Sequence, residues 1–258
     1  MDETEELIEL CVRSLVSQMS AAPGVELHMT RRCVLGLTDE PLGDFNRLTL
    51  GADPQAEAFL IRSAARAKER GRPLTAVMSP NIVERLAPVA TRLGFTAVGA
   101  APLMVLRPDI DIPSSRPTKV VRALGPELVS AAGDLISAAF DTPRDVIARC
   151  IDVCMTETAD VETYIAWDEA GPMCTVSVTL TGATGAISLM ATPPQHQRKG
   201  FGRALLSQVI NDYRRRGVKR FHLGATEAGR PLYDSLGFEL VADLPVWILD
   251  HPAPAQAA

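Results

Sequence analysis

A basic, glycine-containing turn between an apolar strand and a long helix is the stretch of this 258-residue chain best suited to chemistry. The turn reads Gln197-Arg198-Lys199-Gly200-Phe201-Gly202, and the helix after it carries apolar residues at helical spacing as far as Gly217. Glycine has no Cβ, so the backbone can approach a ligand closely. The first amides of a helix lack internal partners and carry partial positive charge, which favours phosphate. Arg198, Lys199 and Arg203 add full positive charges beside these amides.

Other interpretations of this stretch differ in how well they fit. An ordinary strand, solvated turn and helix remains open, because glycine turns before helices are common. A P-loop requires G-x-x-x-x-G-K-[ST], which is not present. A dinucleotide-binding turn requires G-x-G-x-x-G, but Gly200 and Gly202 are followed by Leu205 at the third position. A nicotinamide-dependent enzyme is therefore disfavoured.

A second motif, Arg230-Pro231-Leu232-Tyr233-Asp234-Ser235-Leu236-Gly237-Phe238, follows about thirty residues later. Gln197-x-x-Gly200-x-Gly202 resembles the Q/R-x-x-G-x-G/A signature of the GNAT acyl-CoA N-acyltransferases. The later motif resembles the L-Y-x-x-L-G-F helix end of the same family. Both motifs occur in the family's order, and the resemblance extends more loosely from Thr118 to Asp250.

The resemblance implies a binding mode for coenzyme A. In this family a central strand and the next parallel strand splay apart, and the pantetheine arm bonds to the backbone of the first strand in the gap. The expected acyl donor is acetyl-CoA, and no metal is expected. The residues that the resemblance places at the coenzyme are Leu189, Met190, Ala191, Thr192, Gln197, Arg198, Lys199, Gly200, Phe201, Gly202, Arg203, Thr226 and Gly229.

The reaction implied by the resemblance is direct attack of an amine on a thioester. It needs a neutral amine, a polarised carbonyl and an acid for the departing thiolate. Tyr233 resembles the family's general acid, although a packed aromatic is the alternative. The central strand carries no carboxylate, and Glu227, just after the next strand, is the best-placed base. His222 on that strand could also serve, but a packed position is more usual for a strand histidine; His196 is better placed to contact coenzyme or solvent.

The elements that must position these residues alternate between strands and helices, which predicts an α/β (α+β) fold. The family resemblance adds two GNAT-like domains, each a mixed, mostly antiparallel sheet flanked by helices with a splayed pair of parallel strands. Helices are predicted at 3–20, 53–70, 83–93, 126–139, 143–155, 202–217 and 230–236. Strands are predicted at 25–29, 33–38, 45–50, 74–78, 95–98, 103–106, 119–122, 161–168, 172–180, 187–191, 221–225, 238–241 and 246–249.

An internal repeat indicates that the fold occurs twice. Leu93-Gly94-Phe95-x-x-Val98-x-x-x-Pro102-x-x-x-Leu106 recurs at 236–249 with six identities at one offset of 143 residues. Chance similarity of two strand-helix-strand units is the alternative. The first copy has Pro54–Phe59 in place of the glycine turn and Ala90 in place of Tyr233. We therefore expect it to carry no acyl-CoA chemistry and to wall one side of the substrate cleft.

The expected domain organisation follows from the repeat and from a proline-rich stretch between the copies. Residues 1–107 are expected to form a degenerate GNAT-like domain, 108–117 a linker and 118–250 the catalytic domain. Residues 251–258 are expected to be a disordered tail.

Composition excludes several classes of function. The net charge of −5 argues against a general nucleic-acid binder. The acidic N-terminus does not resemble a signal peptide, and no apolar run approaches the ~20 residues of a membrane helix. Five scattered cysteines are then expected to be reduced thiols in a cytoplasmic protein. Cys150 and Cys154, one helical turn apart, indicate a packed helix face rather than a metal site.

The leading functional interpretation is an N-acetyltransferase that uses acetyl-CoA. The acceptor would be a primary amine of a small molecule, an amino acid or a protein. The alternative is a non-enzymatic coenzyme A-binding or regulatory module, against which the retained Tyr233 argues mildly.

Overall fold

A computed structural model describes residues 2–112, 118–158 and 160–250 of the chain. The chain divides into two compact units. Unit 1 consists of Met1–Val16, Pro23–Ala101 and Ala242–Ala258, and unit 2 consists of Ser17–Ala22 and Pro102–Val241. The expected tail at 251–258 and the second half of the expected linker, 113–117, lie outside the described residues.

Unit 1 is a mixed sheet with helices, and in its third helix the residues that start and end the helix are recognisable in the sequence. Ser79 caps the third helix by accepting a hydrogen bond from the Asn81 amide at 3.1 Å, Pro80 occupies the first turn, and Gly94 ends the helix in the left-handed conformation. The elements in order are α1 (Glu3–Met19), β1 (Glu26–Met29), β2 (Cys33–Leu37), β3 (Arg47–Leu50), α2 (Ala56–Glu69), β4 (Leu74–Met78), α3 (Pro80–Leu93) and the first half of β5 (Thr96–Leu106). Strands β1 to β4 lie side by side, with β3 and β4 parallel.

Unit 2 repeats this plan with longer strands. Its elements are the second half of β5, β6 (Lys119–Arg122), α4 (Pro126–Phe140), α5 (Arg144–Ile147), a π-helical turn (Ala148–Asp152), α6 (Val153–Glu157), β7 (Val161–Asp168), β8 (Gly171–Thr181), β9 (Thr184–Ala191), α7 (Phe201–Arg215), β10 (Arg220–Gly224), α8 (Arg230–Asp234) and the first residues of β11 (Glu239–Leu249). Strands β6 to β9 pair antiparallel in sequence order, and β10 lies parallel to β9. One face of α7 packs Leu205, Leu206, Val209, Ile210 and Tyr213 into the core of the unit.

Each unit takes its last strand from the other half of the sequence. Residues 103–106 of β5 pair antiparallel with β10 inside unit 2, and residues 246–249 of β11 pair antiparallel with β4 inside unit 1. Ile110 and Ile112, from the start of the expected linker, pack against the core of unit 2. Arg214 also donates hydrogen bonds to the carbonyls of Ile110 and Arg107. The compact units therefore do not follow the sequence boundary at 107 and 118.

The repeat is visible in the local geometry of both copies. Strands β5 and β11 begin and end at residues that differ by the same 143 positions. Gly94 and Gly237 both adopt positive φ, and the next amide, of Phe95 or Phe238, bonds to the carbonyl of Ala90 or Tyr233. The prediction of two short strands around each proline was wrong: β5 and β11 are each continuous. Each strand passes from one unit to the other near its proline, Pro102 in β5 or Pro245 in β11.

Other predicted boundaries agree with the structure to within a few residues, with central strand β9 starting three residues earlier than predicted. The five cysteines are free thiols. Among the described residues, no helix is both long and apolar enough to span a membrane.

Candidate functional site

A gap opens between the two parallel strands of unit 2. Their pairing covers only Thr184 to Ala186 on β9 and Arg220 to His222 on β10. Beyond this point β9 continues for five residues, to Ala191. On its other side β10 stays paired with β5 as far as Gly224, and the Ala225 amide bonds to the Pro102 carbonyl at 2.8 Å. The strands therefore splay, and the edge of β9 beyond Ala186 does not pair with β10.

A bulge marks the splayed part of β9. The pairing of β8 with β9 shifts by one residue between Ser177 and Thr175, and Leu189 lies in the bulge with φ of +48°. Leucine rarely adopts this conformation, so the bulge is a strained feature that the surrounding sheet must maintain. Ser188, Leu189 and Met190 are half-buried, whereas Ala191 is buried. The bulge therefore interrupts the regular pairing of Leu189 and Met190 in the stretch of β9 that does not pair with β10.

The turn after β9 places helix amides at the end of the gap. Arg198 and Gly200 both have positive φ, +64° and +81°, and α7 starts at Phe201. The side chain of Gln197 donates a 2.9 Å hydrogen bond to the Thr192 carbonyl, which closes the turn on the end of β9. No side chain caps the helix, and the first intrahelical bond runs from the Ala204 amide to the Gly200 carbonyl. The amides of Gly202 and Arg203 therefore have no partner within the helix.

Gly202 is the point where three elements of the site meet. A Cβ added there would lie 3.0 Å from Met190 Cε and 3.5 Å from Thr192 Oγ1, both at the end of β9. The same atom would lie 3.6 Å from Leu232 Cδ2 of α8. Arg203 donates a hydrogen bond to the Ser235 carbonyl at 3.1 Å, which ties α7 to the end of α8. A larger side chain here would crowd the junction between the turn, the splayed strand and the helix that carries Tyr233, and Met190 would have to move.

Tyr233 combines a buried ring with a hydroxyl that makes no hydrogen bond to any described residue. Its ring is 7% exposed and packs edge-on against Phe238 at 5.7 Å between centroids. A Cβ added at Gly229 would lie 3.3 Å from Tyr233 Cε2, so this glycine permits close packing on the ring edge. Burial raises the pKa of Tyr233 to about 12. The side chain is therefore a protonated donor at neutral pH.

The turn before α8 contains the other predicted contacts. Thr226 Oγ1 accepts a 3.1 Å hydrogen bond from the Gly229 amide, so this side chain shapes the turn. Glu227 is exposed in the same turn. No hydrogen bond or ion pair joins Glu227 to another described residue, and the structure does not bring its carboxylate into contact with Tyr233.

The side chains of the predicted phosphate turn have different surroundings. Arg198 and Lys199 are exposed, as a charged anion-binding edge requires. The Phe201 side chain is buried in the core of unit 2, so only its backbone can face a ligand. Exposed Gln197 and half-buried Thr192 hold the turn closed through their hydrogen bond.

Two titratable groups near the gap, His222 and Cys174, are neutral at neutral pH. His222, at the last paired position of β10, is 2% exposed, and burial together with nearby Arg220 lowers its pKa to about 4. Burial also raises the pKa of the Cys174 thiol, which lies beside Thr192, to about 12. His196 is half-buried in the turn between β9 and α7. In the described part of the chain, no cluster of three or more histidine, cysteine, aspartate or glutamate side chains could hold a metal ion.

The corresponding place in unit 1 is closed. Strands β3 and β4 pair through all four residues of β3, and the Ser79 amide continues the pairing to the Leu50 carbonyl at 2.7 Å. Buried Glu5 accepts hydrogen bonds from the Ala52 amide and the Ser79 hydroxyl. Asp53 accepts a hydrogen bond from the Gln55 amide just before α2. Carboxylates of the chain itself therefore occupy donors that a phosphate would need, and the predicted splayed pair is present only in unit 2.

Sequence reasoning named Leu189 and Arg198 as candidate coenzyme contacts but did not predict their positive φ. Neither leucine nor arginine favours positive φ, so residue type gives no signal for these positions. It also missed that Gly202 separates β9 from α8, because that contact joins residues distant in the sequence. The missing glycine turn in the first copy indicated that the corresponding place in unit 1 would not bind coenzyme. Nothing in the sequence indicated that Glu5 would bond to the Ala52 amide and the Ser79 hydroxyl there.

Comparisons with known proteins agree with this geometry. Residues 159–240 match the sequence model of the acetyltransferase (GNAT) domain. The search of curated proteins found no match. A GCN5-related N-acetyltransferase from Kribbella flavida has a similar structure, with a TM-score of 0.71, 18% identity and coverage of 99% of this chain and 98% of that one.

Two other solved structures have the same fold. A GCN5-related N-acetyltransferase from Sphaerobacter thermophilus has a TM-score of 0.63 and 16% identity, covering 86% of this chain and 78% of that one. A tandem GNAT protein from the clavulanic acid biosynthesis pathway also has a TM-score of 0.63 and 16% identity, covering 96% of this chain and 88% of that one. The chain therefore has the tandem GNAT fold, and residues 159–240 of its second half match the GNAT domain model.

Proposed function

We propose that this protein is an N-acetyltransferase that moves an acetyl group from acetyl-CoA to a primary amine by direct attack. The observation that carries the proposal is the combination of a splayed strand pair, an uncapped helix start and an unbonded tyrosine hydroxyl. The end of the splayed strand, the start of α7 and the helix that carries the tyrosine meet at Gly202 in unit 2. GNAT proteins in general bind acetyl-CoA, and the residues present fit that ligand.

The fit rests on space and charge. The gap beyond Ala186 leaves the edge of β9 accessible for the amide groups of a pantetheine arm. The amides at the start of α7, with Arg198 and Lys199 beside them, match a pyrophosphate. Leu189, Met190, Ala191 and Thr192 hold the arm in this proposal, and Thr226 and Gly229 shape the turn that supports Tyr233.

Acetyl-CoA supplies the activated acetyl group when it is bound. Tyr233 donates its proton to the departing sulfur, since its pKa of about 12 keeps it protonated and no described residue competes for its hydroxyl. Glu227 is proposed to accept the amine proton, directly or through water, from the exposed turn after β10. Buried His222 is the weaker candidate, because its imidazole is nearly inaccessible to solvent.

A covalent acetyl-enzyme is disfavoured by the surroundings of Cys174. A thiol with a pKa of about 12 is almost entirely protonated at neutral pH, and only the thiolate is a good nucleophile. The proposed reaction therefore requires acetyl-CoA and amine to be bound together. The acceptor is a primary amine of a small molecule, an amino acid or a protein.

The two copies divide the work in this proposal. Unit 2 binds acetyl-CoA and carries the reaction, whereas unit 1 has lost the gap and holds its own carboxylates at the corresponding place.

An acetyl-CoA consumption assay with a panel of primary amines tests the proposal. We expect amine-dependent release of coenzyme A with intersecting double-reciprocal plots, since both substrates bind before reaction. Parallel plots would indicate a covalent intermediate and contradict direct attack. Tight binding of acetyl-CoA without turnover for any amine would support the alternative, a non-enzymatic coenzyme A-binding module.

A further inference from the structure

Unit 1 contains a cavity of about 470 Å³ that the candidate coenzyme site does not use. The cavity lies between β1, which is the edge strand of the unit, and one side of α2. Glu26 and His28 line it from β1, Leu35 from β2, and Phe59, Arg62 and Arg66 from α2. Its volume is within the range of about 300 to 1,000 Å³ that is usual for small-molecule sites.

The helix of the second copy that corresponds to α2 carries a buried tyrosine that the first copy lacks. In unit 2, Tyr213 of α7 packs edge-on against Tyr164 of β7 at 6.0 Å and donates a 2.6 Å hydrogen bond to Glu162. Tyr213 lies three residues before the residue that ends its helix, Arg216, and the corresponding residue of α2 is Ala67. The two copies therefore differ in how the helix packs against the sheet, although Ala67 itself does not line the cavity.

The cavity wall carries an uncompensated positive charge. Glu26 is already held by Arg66 at 2.8 Å and by His28 at 2.7 Å, and these bonds lower its pKa to about 2. Its negative charge is thus satisfied within the wall. Arg62, in contrast, is exposed and forms no ion pair or hydrogen bond with another described residue. A ligand with one negative charge would complete this arrangement.

The other walls of the cavity are apolar. Leu35 and Phe59 are 2% and 5% exposed, so they provide a dry floor, and Ser63 beside them is also buried. Met29 is 54% exposed and extends this apolar surface towards solvent. A hydrocarbon or aromatic group would bury area against these side chains and gain roughly 25 cal/mol per Å² of apolar surface.

We propose that this cavity binds a small amphipathic carboxylate, with its acid group on Arg62 and its apolar body against Phe59, Leu35 and Met29. The site is preformed by regular structure, because Phe59, Arg62, Ser63 and Arg66 recur along one stripe of α2. A ligand of this class needs no splayed strands and no phosphate turn. The site is therefore independent of the proposed acetyl-CoA chemistry in unit 2.

Isothermal titration of the full chain with phenylacetate and hexanoate tests the proposal, with phenylacetamide and hexanamide as neutral isosteres. We expect the carboxylates to bind at least tenfold more tightly than their amides. Arg62→Gln should remove that difference. Met29→Glu, which places a negative charge at the exposed rim, should also weaken carboxylate binding at least tenfold.

Two variants with the same change of charge serve as controls. Arg92→Gln alters an exposed arginine of α3 outside the cavity, and Arg198→Gln alters the phosphate turn of unit 2. We expect both to bind phenylacetate as the unmodified protein does. Equal affinity for acid and amide, equal losses in Arg62→Gln and Arg92→Gln, or a loss confined to Arg198→Gln would each overturn the proposal. None of these results depends on whether the protein transfers acetyl groups.

Discussion

At the scale of single residues, the contrast between Tyr233 and Tyr213 is informative. Both rings are buried, but Tyr213 donates its hydroxyl hydrogen to Glu162 at 2.6 Å, whereas Tyr233 bonds to no described residue. The ring of Tyr233 is packed, but its hydroxyl oxygen is not among the fully buried unpaired atoms, so it can bond to water or to a ligand. Tyr233 is therefore the tyrosine to test for catalysis, and Tyr213 is its structural control.

We expect Tyr233→Phe to lower kcat by about 100-fold or more, because general acid catalysis typically contributes this much. Affinity for acetyl-CoA should change less than threefold, since the ring and its contact with Phe238 are retained. Steady-state kinetics and titration with acetyl-CoA measure the two effects. Tyr213→Phe should instead lower the melting temperature and leave kcat nearly unchanged. Small, equal effects of Tyr233→Phe on both parameters would assign that residue to packing.

Glu162 is a buried charge whose role is stability. Burial by itself would raise its pKa, but hydrogen bonds from Arg216, Tyr213 and Tyr164 outweigh burial and lower the pKa to about 2. An unfolded chain would titrate this group near 4.5. Because folding lowers its pKa, Glu162 stabilises the fold fully above about pH 4.5, and this contribution is lost as the pH falls towards 2.

Glu162→Gln should therefore lower the free energy of unfolding at pH 7 by on the order of 3 kcal/mol. The difference from the unmodified protein should shrink as pH falls from about 4.5 to about 2. Denaturant unfolding at several pH values measures it. The control Glu239→Gln breaks an exposed ion pair with Arg107 and should change stability by less than about 1 kcal/mol. A difference that is independent of pH would contradict the ionic account of Glu162.

At the scale of elements, the site depends on a strand that stops pairing and a helix that is not capped. The turn between them needs glycine at Gly200, where φ is +81°, and close approach at Gly202. A β-branched residue at either position would change the path of the turn or fill the junction with Met190 and Thr192. The fold should tolerate this, because the turn residues Gln197 to Gly200 are exposed.

We expect Gly200→Val and Gly202→Val to weaken acetyl-CoA binding by at least about 100-fold, which corresponds to roughly 2.8 kcal/mol. Circular dichroism should remain close to that of the unmodified protein. Gly217→Val is the matched control, since Gly217 also has positive φ, +92°, and no neighbouring atom within 4 Å of an added Cβ. If all three variants bind acetyl-CoA with equal affinity, the turn at Gly200 and Gly202 is not the coenzyme site.

At the scale of the whole molecule, two copies of one plan have diverged at the place where the coenzyme would bind. In unit 1 the parallel strands β3 and β4 pair to the end of β3, and Glu5 accepts a hydrogen bond from the Ala52 amide. A pyrophosphate there would displace a buried carboxylate and face its negative charge, which is unfavourable. We therefore expect one acetyl-CoA site per chain by isothermal titration. Two sites of similar affinity would contradict the proposed division between the copies.

The exchange of last strands predicts how fragments behave. A fragment of residues 118–250 lacks Leu103 to Leu106, which pair with β10, and loses Met104 and Leu106 from the core of unit 2. Removing two such buried side chains costs several kcal/mol. We expect this fragment to show no cooperative unfolding and no acetyl transfer. Full activity from it would show that strand β5 is dispensable.

Much of the fold was predictable because its signals are local. Hydrophobic periodicity predicted the helices and most strands, and the repeat at offset 143 predicted two copies of one plan. Gly200 and Gly202 predicted the turn before α7, because only glycine combines close approach with free choice of φ, and its role in binding phosphate stays a prediction. The motif around Tyr233 likewise identified α8 and the αL glycine that ends it.

Only the tertiary structure decided which strands pair and where pairing stops. The exchange of β5 and β11 joins residues far apart in the sequence, and no local pattern states a strand's neighbours. The strain at Leu189 follows from a register shift against β8, which residue type does not reveal. For the first copy, the sequence showed only that the glycine turn was missing. That Glu5 fills the vacated place, and that a cavity opened beside Arg62, depended on contacts between elements that folding alone brings together.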